Sequence, residues 1–176
     1  MLFLVLFSTA CTRQNELTFS VVDTDFSKGR LGFEQQIVLA DLVKFHGHQC
    51  DGLVVGAQAM QLALAEIYPD QNIDRTNLRV VSKPSPCLAD VAIYSTGGRY
   101  QFNTFYVDTA FGGIYLIQRI DNGQTVEVGL NAGVKPAAID SLGALANRGL
   151  LSPCGIDSLR AMEDAFMQKM LAQPNI

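Results

Sequence analysis

Histidine occurs only twice in this chain, cysteine four times and tryptophan not at all. No two cysteines are spaced C-x-x-C: Cys11, Cys50, Cys87 and Cys154 stand far apart, which excludes a zinc finger or a thioredoxin motif. Lys and Arg are few, 13 against 17 Asp and Glu, and form no basic run. The net charge of -4 therefore offers no clustered footprint for nucleic acid. An apolar run of the roughly 20 residues needed to cross a bilayer is also missing, as are internal repeats and low-complexity segments. What is there is a globular composition, 48% hydrophobic and 17% charged. Its 176 residues suffice for one domain with a proper core.

The scarce donors are crowded. Phe45-His46-Gly47-His48-Gln49-Cys50-Asp51-Gly52 holds both histidines and one cysteine. His46, His48 and Cys50 alternate, so an extended chain would aim all three to one side. Two imidazoles and a thiolate are borderline-soft donors, suited to zinc or another first-row transition metal. Three protein ligands and an open position describe a reactive metal site rather than a closed one. Cys50 also precedes an expected helix start, where free N–H groups favour an anion, which makes it the candidate nucleophile. Cys87 is the natural fourth ligand, and Asp90, one turn further on, an accessory. His46 has an alternative role, orienting the loop by a hydrogen bond to backbone. Cys154, with no neighbouring donor, reads as a small buried hydrophobe.

The N-terminus is patterned differently. Residues 1–10 form a short apolar run ending in Ser-Thr-Ala, with Cys11 directly after. This resembles a bacterial lipoprotein signal, in which Cys11 is lipidated and becomes the new N-terminus. The expectation is then a signal-like segment over 1–11, a polar tether over 12–30 and one domain over 31–176. Such a protein is exported and held at the periplasmic side of the cell envelope, touching membrane only through its lipid anchor. The alternative is an N-terminal strand or buried segment, with the protein in the cytoplasm.

Periodicity predicts a helix over Phe33–Phe45 and a second, apolar all round and hence central, from Gly52 to Ile67. Asp51 suits its N-cap. Strands are expected over Leu78–Ser82, Thr104–Asp108, Gly113–Ile120 and Thr125–Leu130, the last two joined by a hairpin at Asp121-Asn122-Gly123. Cys87–Thr96 could be strand or short helix, and proline at its mouth suits the helix. Two closing helices, Pro136–Asn147 and one ending near Ala172, complete an α+β class with a mixed, largely antiparallel sheet. Leu159, Met162, Phe166 and Met170 form the apolar stripe of the last helix.

Phe45-His46-Gly47-His48-x-Cys50-x-Gly52-Leu53, followed by Gly56, resembles the opening signature of the FmdE family, which takes its name from formylmethanofuran dehydrogenase. Cys87-Leu88-Ala89-Asp90-Val91 and then Thr96-Gly97-Gly98 resemble its second block. The resemblance implies an α+β fold with a mixed sheet, a metal site often occupied by zinc, and homodimers. Carried over by position, the metal site would use His46, His48, Cys50 and Cys87, with Asp90 accessory. Asp51 stands where the family commonly has proline. The cysteine-rich C-terminal zinc module of many relatives is missing, so the expectation is a stand-alone relative rather than a working component of that dehydrogenase.

Three functions compete on these residues. The first is a metal-binding protein, exported, holding its ion through the His/Cys cluster. The second is a metal- or thiol-dependent enzyme acting on a small molecule, with Cys50 reactive. The third is a thiol redox protein with a Cys50–Cys87 disulfide, a bond that an oxidising compartment permits.

Overall fold

The computed structural model describes residues 17–24 and 33–172. The lipidation expected at Cys11, and the whole signal-like segment, lie outside these residues. In chain order the elements are β1 (Thr18–Val22), β2 (Gln35–Val38), α1 (Leu39–His46), α2 (Asp51–Ile67), β3 (Ile73–Asp74) and β4 (Leu78–Ser82). Then follow α3 (Pro86–Thr96), β5 (Phe105–Val107), β6 (Tyr115–Arg119), β7 (Thr125–Val128), α4 (Ala137–Asn147) and α5 (Pro153–Ala172). The class is α+β, with two mixed sheets rather than one.

β1 is the first departure from expectation. Thr18–Val22 falls inside the stretch read as a polar tether, yet Leu17, Phe19 and Val21 point inward and are buried. Their alternation with Thr18 and Ser20 is the period-2 pattern of a half-buried strand. The average polarity of 12–30 hides that alternation. β2 pairs antiparallel with β1, Phe19 opposite Ile37, and β3 pairs with β1 in parallel. This explains the second departure: the helix expected from Phe33 begins only at Leu39, because Gln35–Val38 is taken up by pairing with a strand the pattern does not announce. The Asp41 carboxylate accepts from the Val38 N–H at 3.1 Å and marks the change from strand to helix.

The second sheet runs β5-β4-β6-β7. β5 lies parallel to β4, and β4–β6 and β6–β7 are antiparallel. The Asn122-Gly123 turn forms as expected, with Gly123 at φ +74° and its N–H bonded to the Arg119 carbonyl at 3.0 Å.

α2 organises the rest. Leu53, Ala57, Met60, Ala63, Leu64 and Ile67 pack into the core shared with both sheets, α1 and α3. Val54 and Val55 instead join Ile139 of α4 and Leu159, Phe166, Met167 and Met170 of α5 in a second cluster. A helix wedged between two cores needs an apolar face on each side, which is why its sequence lacks a broad wet one. Its polar Gln58 is buried but donates to the Met170 carbonyl, so its amide is not stranded. No described helix is long and apolar enough to cross a membrane.

Candidate metal centre

Three helix ends meet at one point. α1 ends at His46, and Gly47 follows at φ +100°, with its N–H bonded to the Val43 carbonyl at 2.8 Å. A side chain is strained in that conformation, so the glycine is what lets the chain reverse directly after His46. Cys50 then stands in extended conformation as the N-cap of α2, its Sγ accepting from the Leu53 N–H at 3.4 Å. From the other side comes α3, with Pro86 as its first residue and Cys87 as its second. Proline there costs no hydrogen bond, since that N–H is unpaired anyway.

The side chains converge. Cys50 Sγ is 3.3 Å from Cys87 Sγ and 3.7 Å from His46 Nε2. The His46 and His48 rings lie 4.7 Å apart between centroids. Donor atoms of His46, His48 and Cys50 all fall within 4.8 Å of one another. Asp90, one turn along α3 from Cys87, places Oδ2 2.7 Å from His46 Nδ1. All five residues singled out in the sequence are thus brought to one place. The route differs from the expected one: a helix end, a reversal at Gly47 and a cap make the convergence, not an extended strand.

Asp90 fixes what His46 can do. With Nδ1 bound to the carboxylate, Nε2 is the nitrogen that faces the sulfur. The His46 side chain is only 6% exposed and the Asp90 side chain 31%. The hydrogen bond to Asp90 raises the His46 pKa, and burial only partly opposes it.

The two thiols are not equivalent. The Cys50 S–H donates to Cys87, which lowers the Cys87 pKa to about 6, with help from the charge on His46 and a hydrogen bond from Ser85. The same bond raises the Cys50 pKa, and burial raises it further. This reverses the expectation that Cys50 ionises readily. The cap hydrogen bond from Leu53 does act in the expected direction, but the shared thiol proton outweighs it. Of the two, Cys87 is the thiol drawn toward ionisation.

Asp51, expected as the N-cap of α2, is instead the first helical residue. Its Oδ1 accepts from the Gly52 N–H at 2.8 Å, and its Oδ2 meets Lys135 Nζ at 2.9 Å. Lys135 also meets Asp140 at 2.8 Å, tying the start of α4 to the mouth of the centre. Nothing in local sequence marks Lys135, because Asp51 is distant in the chain. Cys154, expected to be buried, is exposed on the first turn of α5.

Whether a metal suits this place can be asked of the donors themselves. Around a tetrahedral zinc, bonds of about 2.0–2.3 Å put neighbouring ligand atoms about 3.3–3.8 Å apart. The His46–Cys50 separation of 3.7 Å suits a nitrogen–sulfur pair, and the two sulfurs, 3.3 Å apart, would part by about half an ångström to reach the roughly 3.8 Å of two zinc-bound thiolates. A histidine whose far nitrogen is held by a carboxylate is the usual partner of such an ion. His46, His48 and Cys50 form a possible metal-binding cluster, with His48 exposed and Cys87 Sγ against Cys50 Sγ.

An α+β domain with a His/Cys cluster at the junction of three helix ends is therefore the class of this protein. Within that class, residues 45–175 match the family model described as FmdE, molybdenum formylmethanofuran dehydrogenase operon. The chain belongs to the FmdE family. No curated protein matches it.

Proposed function

We propose that this protein binds a first-row transition metal, zinc being the best fit to the donors, through His46 Nε2, Cys50 Sγ, Cys87 Sγ and His48. The observation that carries the reading is the His46 arrangement. Its Nδ1 is held by Asp90 and its Nε2 faces Cys50 Sγ at 3.7 Å, so that an ion displacing the Nε2 proton meets a lone pair aimed at a thiol. The bound ion would supply Lewis acidity. The chain itself supplies orientation, through Asp90, and at Cys87 a thiol whose pKa is lowered by its neighbours.

Elemental analysis of purified protein tests this: about one equivalent of metal is expected. A His48→Ala, Cys50→Ala double variant should lose it. Full metal retention by that variant sinks the assignment.

A second reading, a thiol redox protein closing a Cys50–Cys87 disulfide, is supported by the 3.3 Å approach of the two sulfurs. Non-reducing peptide mapping separates the two: two free thiols in metal-loaded native protein favour the metal.

Export, a lipid anchor at Cys11 and homodimerisation complete the proposal. The first two rest on the apolar run of residues 1–10 with cysteine after it. The dimer rests on the family alone. Intact mass of membrane-fraction protein tests the anchor, with a diacylglyceryl-cysteine N-terminus expected at Cys11. Sedimentation equilibrium tests the dimer.

A further inference from the structure

Gly52 and Gly56 sit four residues apart on α2, so they lie on one face, a turn from each other. Both are in contact with the start of α3. A Cβ built on Gly52 would stand 3.0 Å from Cys87 Cβ and 3.1 Å from Cys87 Sγ. One built on Gly56 would stand 2.7 Å from Tyr115 Oη and 3.1 Å from Leu88 Cδ2. The two missing side chains make a notch, and Cys87 and Leu88 lie in it.

A third residue closes the notch from the sheet. Tyr115 begins β6 and is fully buried. Its hydroxyl reaches the space over Gly56 and donates to the Leu88 carbonyl at 2.8 Å. That carbonyl belongs to the residue next to Cys87, so the bond holds the first turn of α3 by its backbone. The phenol cannot occupy this place beside any residue at 56 larger than glycine.

We infer that Gly52, Gly56 and Tyr115 are positioning residues for Cys87: the notch admits the first turn of α3 against α2, and the Tyr115–Leu88 bond fixes it so that Cys87 Sγ lies beside Cys50 Sγ. None of the three is a ligand to the proposed ion. Their effect passes through Cys87. That the positioning serves a metal rests on the metal-binding reading above, whereas the seating of the two thiols does not.

The test is therefore made first without metal. Metal-free protein is equilibrated in mixtures of oxidised and reduced glutathione, quenched by alkylation and mapped by mass spectrometry. The reaction is balanced: two thiols and one glutathione disulfide give the Cys50–Cys87 disulfide and two molecules of reduced glutathione. Its equilibrium constant reports how well the two sulfurs are held together. Gly52→Ala, whose contacts call for a shift of a few tenths of an ångström, should lower it several-fold, and Gly56→Ala, with the tighter contact, by about tenfold. Tyr115→Phe keeps the ring but removes the hydroxyl, and should lower it several-fold (a variant that stays testable if an alanine fails to fold). Two controls should leave it unchanged. Gly143→Ala adds a Cβ with nothing within 4 Å, and Ile139→Val loosens the other core. An unchanged constant in Tyr115→Phe and in the folded alanine variants overturns the inference, and so does an equal fall in Ile139→Val.

The same proteins are then titrated with cobalt(II), and the thiolate-to-cobalt charge-transfer band is read. Weaker binding with a smaller band in the notch variants supports the link to metal. A wild type that takes up no cobalt overturns the metal reading and leaves the thiol seating to be judged by the glutathione result.

Discussion

His46 and Asp90 are separated by 44 positions in the chain and joined by a 2.7 Å contact between Nδ1 and Oδ2. The contact crosses from the last residue of α1 to the first turns of α3, and it leaves His46 Nε2 facing Cys50 Sγ. Asp90→Asn should therefore weaken zinc binding by about 10–100-fold without removing a ligand atom. Competition with a chromogenic chelator measures this. Wild-type affinity in the variant would show that Asp90 does not orient the histidine.

The same pair sets a pH dependence. In the metal-free protein Asp90 raises the His46 pKa, so the folded state favours the imidazolium. The pair's contribution to stability is then full below about pH 6.5, where an unfolded histidine is also charged. It is lost as pH rises through the folded value. An NMR titration of His46 should give a midpoint above that of a histidine in a short unstructured peptide, and Asp90→Asn should bring it down. A His46 midpoint insensitive to Asp90→Asn would contradict the assignment.

Thiol reactivity should be ordered by residue. Iodoacetamide should modify Cys87 of metal-free protein before Cys50, with the Cys87 rate rising through a midpoint near pH 6 to a plateau. Cys50 should lag, since its proton is shared with Cys87 and its pKa is raised. Peptide mapping of partially alkylated protein gives both rates. Faster modification of Cys50 would reverse the assignment of the thiolate.

Gly47→Ala isolates a backbone effect. A Cβ at Gly47 meets nothing within 4 Å, so no clash is involved, but φ is +100°. The strain should cost about 1–2 kcal/mol, read as a lower urea midpoint at unchanged slope. Zinc affinity should fall as well, because the reversal at Gly47 sets His46 relative to His48 and Cys50.

Lys135→Met should leave Asp51 without its cation. The Asp51 side chain is 14% exposed and that of Lys135 28%, so water makes up only part of the loss. A destabilisation of about 1–3 kcal/mol is expected in urea unfolding. Asp51→Asn in the same background should recover part of it, since it removes the stranded charge.

The central helix, the Asn-Gly hairpin, most of the second sheet and all five side chains of the centre are legible in the sequence. The helix and hairpin rest on local signals: an apolar run too long for a strand, and a turn dipeptide. The centre rests on two histidines and a cysteine within five residues, with Cys87 and Asp90 as their distant partners. β1 is not legible. Its short alternation of Leu17, Phe19 and Val21 is diluted by polar neighbours, and it becomes a strand only by pairing with β2 and β3. Without β1, β2 cannot be placed either, since Gln35–Val38 has no reason to be a strand without its partner. The exposure of Cys154 escapes a sequence reading because an isolated cysteine does not say which way its helix faces.

The sequence by itself determined the donor set of the motif His46-Gly47-His48-Gln49-Cys50, because residue type and spacing limit what chemistry a segment can do. Tertiary structure alone decided how those donors are used. It put Cys87 in the notch beside Gly52, gave Asp90 to His46, and set Cys87 Sγ 3.3 Å from Cys50 Sγ. The reason is distance: a hydrogen bond or a proton's position depends on fractions of an ångström between helices far apart in the chain, and no local pattern of residues carries that information.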